Sequence, residues 1–433
     1  MPNLQKTFEI LNDPQLVVRF QRICGVREVE VSKTKNGSTK SKPTQDGHTS
    51  PYNLRSRKSN SENGNYDKHL PDSDTGLTDK CSQEESDSGS QSVSDSEYEQ
   101  RDKLYKVQID HWSLYYLFSF GAALGNEVFY STFLPYWFWN VDSFVIRRVL
   151  IIWCIMMYFG QCLKDVIRWP RPASPPVIRL EKRYELEYGM PSTHAIVGCA
   201  MPFTCFMLTI DRYEYSWTLG LLGSVTWTLL VCLSRLYLGM HSILDLLAGL
   251  GIVIVSLPAL LPWLDTIDYF QIYHPYAPLV IIGLGLFGAI CYPAMDRWST
   301  ARGDTTLIIS VASGAAIGSW MNYQMGYITA ADTPPPYLVI TPDARWLGLM
   351  IMRMCIGSVV LVATRAIMKA LTFHLVCYVF RVNKVDKESR QNIWIELAYK
   401  YLTYTMVSFN VVFLAPLVFR YLGIERITAF TEL

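Results

Sequence analysis

Charge is scarce in this chain of 433 residues: Asp, Glu, Lys and Arg together make up 18%, against about a quarter in a typical soluble domain. The charge present nearly cancels, to a formal net of +1, so no global field recruits nucleic acid or an acidic partner. The ten cysteines form no C-x-x-C pair and no zinc-like spacing. Most lie in or beside apolar runs, where a thiol behaves as a small hydrophobe. The amino terminus, MPNLQKTFEILNDPQLVVRF, lacks an uninterrupted apolar stretch followed by small residues, so a cleaved secretory leader is not expected. These absences exclude an ordinary soluble enzyme, a secreted disulfide scaffold and a nucleic-acid-binding module.

Hydrophobic residues, by contrast, make up 50% of the chain and are unevenly placed. Residues 1–32 hold a short amphipathic segment in which Leu4, Phe8, Leu11, Leu16, Val17 and Phe20 recur at helical spacing, with a break near Pro14. Such a helix either lies on a membrane surface or packs on protein. Residues 33–105 are rich in Ser, Asn, Asp, Glu, Lys and Gly and nearly free of large aliphatics. They cannot bury enough apolar area to offset the entropy of ordering, and this polar tail is expected to be disordered.

From 106 to 433 long apolar runs take over. A helix needs about 20 apolar residues to cross a hydrocarbon core of about 30 Å. The runs that qualify are 113–137, 143–163, 193–211, 216–238, 242–263, 275–294, 305–323, 346–370 and 396–419. Each must be helical, because lipid offers no partner to an unpaired backbone group. The expected fold is therefore all-α, a polytopic transmembrane helical bundle of about 8–10 spans. Asn126 and Glu127 interrupt the first run, and Arg353 and Arg365 the eighth. They read as interhelical pairing or snorkelling, since charge at bilayer depth seeks a protein partner or the interface.

Three polar segments border predicted helix ends. Lys164-Asp-Val-Ile-Arg168-Trp-Pro-Arg171-Pro172 follows the second run. A continuing helix would line Lys164, Arg168 and Arg171 along one face, although Pro170 and Pro172 turn the chain out of helix there. Alone, the segment is also what a basic membrane flank looks like. Pro191-Ser192-Thr193-His194 opens the third run, where Ser192 or Thr193 can cap a helix whose free N–H groups suit an anion. Ser234-Arg235-Leu-Tyr-Leu-Gly239-Met-His241-Ser-Ile-Leu-Asp245 joins the fourth run to the fifth. Asp245, four residues after His241, would share its helix face and fix the imidazole tautomer, leaving one ring nitrogen free as a nucleophile. Alternating spans bring all three segments to one membrane face. Cations, a helix amino end and two histidines together suit a tetrahedral dianion.

These segments, K-x6-R-P (164–172), P-S-x-H (191–194) and S-R-x5-H-x3-D (234–245), resemble the three signature motifs of the type 2 phosphatidic acid phosphatase superfamily. Thr193 departs from the pattern, standing where many members have glycine, and its side chain narrows the expected phosphate cradle. Within the superfamily, RWPRPASPP (168–176), EYGMPSTHA (187–195), VCLSRLYLGMHSILD (231–245) and WSTARGDT (298–305) look like sphingosine 1-phosphate phosphatases. The resemblance implies that His241 is the nucleophile, forming a phosphohistidine, that Asp245 orients it, and that His194 is the general acid/base. It also implies that Lys164, Arg171, Ser192, Thr193 and Arg235 bind the phosphate, with Arg168 secondary. No cofactor and no metal are implied, since protein cations take over charge stabilisation.

The expected substrate is a long-chain sphingoid base phosphate, and the expected partner is the lipid bilayer, with no nucleic acid. A broader lipid or sugar phosphate phosphatase, or an inactive membrane scaffold or transporter, are the alternatives. The resemblance places the protein in the endoplasmic reticulum membrane as a multi-pass protein. Two spans precede the first motif, which puts the motifs and the tail on one side, and Asn36-Gly-Ser38 is a glycosylation sequon within that tail.

Overall fold

The structure is a computed structural model that describes residues 2–32, 40–42, 105–181, 184, 186–293, 300–329, 331, 333–339, 341–381 and 392–432. Two compact units emerge, Arg27–Gln108 and the remainder of the chain. The smaller unit contains a three-stranded sheet of order β2-β1-β3, with β1 at Val26–Ser32, β2 at Lys40–Lys42 and β3 at Tyr105–Ile109. β1 alternates Val29 and Val31 with Glu28 and Glu30, the two-residue period of a strand. It pairs antiparallel with β2 in the register Glu30↔Lys42. Lys40–Lys42 thus depart from the expected disordered tail, while residues 33–39 and 43–104 lie outside the described residues.

The amphipathic segment of the larger unit is two helices, α1 (Pro2–Leu11) and α2 (Pro14–Ile23), the second capped by Asp13 accepting from Gln15 N at 2.9 Å. Val17, Val18 and Gln21 are buried, and the valines pack with Val177 and Leu236. Of the two expected placements, α2 therefore takes the protein one. Gln21 Nε2 donates to the carbonyls of Ile178 at 2.6 Å and Tyr237 at 3.0 Å, and its Oε1 accepts from Ile178 N.

The bundle comprises α3 (Trp112–Ala123), α4 (Glu127–Asn140), α5 (Ser143–Ile167), α6 (Thr193–Thr209), α7 (Trp217–Tyr237), α8 (Ile243–Tyr273), α9 (Ala277–Ile290), α10 (Ala301–Gln324), α11 (Ala344–Val379), α12 (Ile393–Val412) and α13 (Leu414–Tyr421). Among the described residues, five stretches are long and apolar enough to cross a membrane: α5, α7, α8, α11 and the α12–α13 pair, Ile393–Tyr421. The protein is thus a multi-pass membrane protein. The helix α10 is not among them, because its many small and hydroxyl residues lower its hydropathy, and several of these, Ser310, Ser313, Ala315, Ala316 and Ser319, are buried. Helices pack closely through such residues where lipid supplies no hydrophobic drive. Polar bonds between helices add to this packing: Thr228 Oγ1 to Gly198 O at 3.0 Å, Ser408 Oγ to Val311 O at 2.6 Å, and Trp139 Nε1 to Val411 O at 2.9 Å. Arg353 pairs between helices as expected, donating to Ile424 O at 2.6 Å and Asn140 Oδ1 at 3.2 Å.

The first expected span, 113–137, is broken. α3 ends at Ala123, and α4 begins after Asn126, its N-cap. α3 keeps to the end of the bundle where α7 finishes, its Phe118 ring 4.8 Å from Tyr237. Asn126 and Glu127 therefore stand at a helix start, at that same end, and not mid-span.

Candidate active site

α5 stops at Ile167, where Arg168 takes the left-handed conformation (φ 55) and its Nε turns back to Asp165 O at 3.1 Å. The single face expected for Lys164, Arg168 and Arg171 does not form. Arg168 is left at the surface, and Arg171 reaches inward from the following loop. Arg171 Nε donates to Glu187 O and its Nη1 to Met240 O, both at 2.8 Å, while Nη1 lies 3.3 Å from His241 Nε2. Lys164, buried in the last turn of α5, donates to Glu187 Oε2 at 2.8 Å and lies 3.4 Å from Thr193 Oγ1. The Thr193 hydroxyl thus enters the cationic cup that a glycine would leave open.

Ser192 caps α6, its Oγ accepting from Ala195 N at 3.3 Å, and its own N–H donates to Asp245 O at 3.1 Å. That bond ties the second segment to the third. Gly239, at φ +70, makes the tight reversal from α7 into α8 that a side chain would strain. His241 lies just before α8 rather than on its face. Asp245 reaches it through a capping box: Asp245 Oδ2 accepts from Ser242 N at 2.7 Å, Ser242 Oγ accepts from Asp245 N at 3.2 Å, and Oδ2 stands 3.7 Å from His241 Nδ1. The carboxylate is held by a helix cap, with the imidazole turned so that Nε2 faces Arg171.

Arg235, in the last turn of α7, is 0% exposed. Glu181 Oε2 is 2.9 Å from its Nη1, yet none of the three guanidinium nitrogens has an aligned hydrogen-bond partner. A buried cation so poorly compensated is costly unless an anion completes it. Burial, then Arg171, Arg235 and Lys164, push the His241 imidazole well below the ordinary 6.5, so it is neutral at physiological pH. Burial also lowers the Arg171 guanidinium, to about 10, which leaves it charged. Burial alone would raise the Glu187 carboxyl, but Lys164 beside it, then Arg171 and Arg235, hold it below its usual range.

His194, in the first turn of α6, is also buried, with Nε2 3.2 Å from Asn126 Oδ1 and Tyr184 edge-on at 5.6 Å. A Cβ on Gly125 would collide with this imidazole, so the break between α3 and α4 both makes room for the ring and supplies its acceptor. The expected site residues Lys164, Arg171, Ser192, Thr193, His194, Arg235, His241 and Asp245 thus converge from four helix ends. Asn126, expected only as a structural polar residue, joins them, as does Glu187, which sequence reading missed. The Gly125-Asn126 pair, a stop-and-cap signal inside an apolar run, carried the information for the first. Nothing local marked the second.

From the cup a cavity of about 640 Å³ descends among α4, α5, α10, α11 and α12, within the usual range of about 300–1,000 Å³ for ligand pockets. Lys164, Arg171, Thr193 and His194 line its head, and Met157, Trp153, Leu150, Ile308 and Val311 its apolar shaft. Val128, Ser131 and Thr132 on α4 and Ser358 and Val362 on α11 line the cavity while also being exposed on the outer surface. The shaft is therefore open sideways between these two helices. Arg365, also exposed on α11, lies along the same wall.

A bundle that gathers lysine, arginines and paired histidines at helix ends over an apolar shaft is a membrane-embedded phosphatase of the PAP2 superfamily, which matches residues 129–268. The chain is 41% identical over 421 residues to sphingosine-1-phosphate phosphatase 1 of Rattus norvegicus, covering 96% of this chain and 97% of the relative. It is 40% identical over 323 residues to sphingosine-1-phosphate phosphatase 2 of Homo sapiens, covering 74% and 81%. A dihydrosphingosine 1-phosphate phosphatase of Schizosaccharomyces pombe is 29% identical over 235 residues, 50% of this chain and 55% of the relative. The chain belongs to the sphingosine-1-phosphate phosphatase family. No solved structure matches it.

Proposed function

We propose that the protein hydrolyses sphingosine 1-phosphate and related long-chain base phosphates to the free base and phosphate through a phosphohistidine. The observation that carries this reading is His241 Nε2 set 3.3 Å from Nη1 of Arg171, a side chain that lines the head of the apolar shaft together with Lys164, Thr193 and His194. The cup takes the phosphate dianion and the shaft takes the aliphatic chain. His241 Nε2 attacks phosphorus, the ester P–O bond breaks, and the leaving alkoxide takes a proton from His194. Asp245 faces the opposite ring nitrogen and stabilises the cationic ring as the N–P bond forms. A water then gives its proton to His194 and displaces His241, releasing phosphate. Lys164, Arg171, Arg235, Ser192 and Thr193 neutralise the equatorial oxygens, which is the main demand of phosphoryl transfer. On binding, phosphate displaces the Glu187 carboxylate from Lys164.

Catalysis is assigned to residues 106–433, with 1–32 and 33–105 as appendages outside the chemistry. The endoplasmic reticulum is the compartment that the family resemblance supports, and use of the Asn36 sequon would report which side of that membrane the tail occupies. The decisive experiment incubates purified protein in detergent with 32P-labelled sphingosine 1-phosphate, lysophosphatidate and glucose 6-phosphate, then quenches in alkali. The expected result is phosphate release strongest from the sphingoid substrate and an acid-labile, alkali-stable protein label absent from His241→Ala. Equal turnover of all three substrates overturns the narrow specificity, and a label that survives in His241→Ala overturns the nucleophile.

A further inference from the structure

Along α5 the residues facing the cavity are Lys164, Gln161, Met157, Trp153, Leu150 and Arg147, one stripe of the helix at three- and four-residue steps. Gln161 lies about 4.5 Å below Lys164 along the axis at 1.5 Å per residue. Its side chain is 6% exposed, and Oε1 has no hydrogen-bond partner. A buried amide oxygen without a donor is costly, and this one lines the cavity just beneath the phosphate cup.

Besides Glu187, two carboxylates line the same cavity, Glu127 in the first turn of α4 and Asp304 in the first turn of α10. They are electrostatically coupled to each other, and Asp304 also to Lys400 and Glu187. Lys400 is already engaged by Glu396 at 2.7 Å. Around the cationic cup there are thus further acceptors, with Gln161 one turn down α5, and beyond it Met157, Trp153 and Leu150 make the walls apolar.

We propose that Gln161, Glu127 and Asp304 form a subsite for a primary ammonium group on the substrate. The inference rests on the phosphatase reading above and adds to it the source of headgroup selectivity. A long-chain base phosphate carries phosphate on its first carbon, ammonium on the second, hydroxyl on the third and alkyl chain beyond. That order repeats the order of the cavity's layers. An ammonium seated there donates to Gln161 Oε1 and offsets both carboxylates. A lipid phosphate without an amine brings its dianion beside the same carboxylates and leaves Gln161 Oε1 unmet. Discrimination then comes from attraction to one substrate and repulsion of the other, and from the buried acceptor left unmet.

The test compares kcat/KM for sphingosine 1-phosphate and for octadecyl phosphate, an amine-free ester of matching length, in the same detergent preparation. Wild type, Asp304→Asn, Glu127→Gln, Gln161→Leu and the conservative Asp304→Glu are measured. The wild type is expected to favour the amine substrate by about tenfold or more. That ratio should collapse toward one in Asp304→Asn and Glu127→Gln, fall less in Gln161→Leu, and persist in Asp304→Glu. Because both substrates are read on each preparation, partial misfolding cancels from the ratio. An unchanged ratio, or an equal loss on both substrates, overturns the subsite while leaving the phosphatase reading intact provided hydrolysis needs His241. Hydrolysis that persists in His241→Ala overturns the phosphohistidine mechanism instead.

Discussion

The two ends of the bundle bury cations in opposite ways. At the end away from the cup, Asp142 Oδ2 accepts from Arg212 at 2.5 Å and Tyr213 at 2.6 Å, and Asp268 receives Arg147 at 3.3 Å and Arg148 at 2.7 Å. Glu432 binds Arg426 and accepts from Ser143 N and Oγ at 2.6 Å, while its carbonyl accepts from Arg147 at 3.0 Å. Arg147, Arg148, Arg212 and Arg426 there each meet a carboxylate, while Arg353 meets the Ile424 carbonyl and Asn140 Oδ1. In the cup, Lys164 has Glu187, but Arg235 has no aligned partner, and Arg171 spends two of its bonds on backbone carbonyls. On the proposed mechanism the same residue type serves as a clamp where charge is matched and as a receptor where it is not. Matched buried charge is structural, and breaking it strands the partner. Unmatched buried charge is held in place by the fold and completed by a ligand.

The largest effect expected from testing this contrast is at His241: alanine there should reduce phosphate release by about 10³-fold or more, with the thermal midpoint nearly unmoved. Next, Arg235→Met should slow hydrolysis by about 10²–10³-fold while changing stability little, because the buried guanidinium has no aligned hydrogen bond and its one ion-pair partner, Glu181, keeps access to water. Asp268→Ala should do the reverse, costing about 3–5 kcal/mol of stability while surviving molecules turn over normally. Thermal melts and kcat measured on the same preparations decide the matter, and the contrast fails if Arg235→Met melts earlier than Asp268→Ala.

A third test uses pH. The nucleophile must be neutral, and burial with Arg171, Arg235 and Lys164 lowers its pKa below 6.5. Protonation of His241 therefore cuts kcat/KM only at pH below that value. Removing a nearby positive charge favours the protonated ring, so Arg171→Gln should move this acidic limb to higher pH; a shift to lower pH contradicts the assignment. The smallest effect is at Asn126, where alanine should cost about tenfold in kcat by freeing the His194 ring, with KM little changed.

Much of the cup was legible before any coordinates. Lys164, Arg171, Ser192, His194, Arg235, His241 and Asp245 belong to residue types that phosphoryl transfer demands, placed at the ends of apolar runs whose alternation puts them on one face. What escaped was whatever depends on the facing of one helix toward another. Arg168 fits the cationic spacing of Arg171, yet the helix stops one residue earlier and turns it outward. Asn126 looked like any polar residue in a span until the break at Gly125 set it against His194. Gln161 lies in no motif, Asp304 sits in the WSTARGDT segment without a role assigned to it, and only the packing of α5 beside α10 puts them into one cavity.

The sideways opening between α4 and α11 sets the terms on which this catalyst meets its supply. A single-chain lipid that slips through it never crosses a water layer, so encounter is a search in two dimensions. Turnover then tracks the mole fraction of substrate in the surrounding sheet rather than its bulk molarity, and diluting the sheet with inert lipid slows the protein as surely as an inhibitor would.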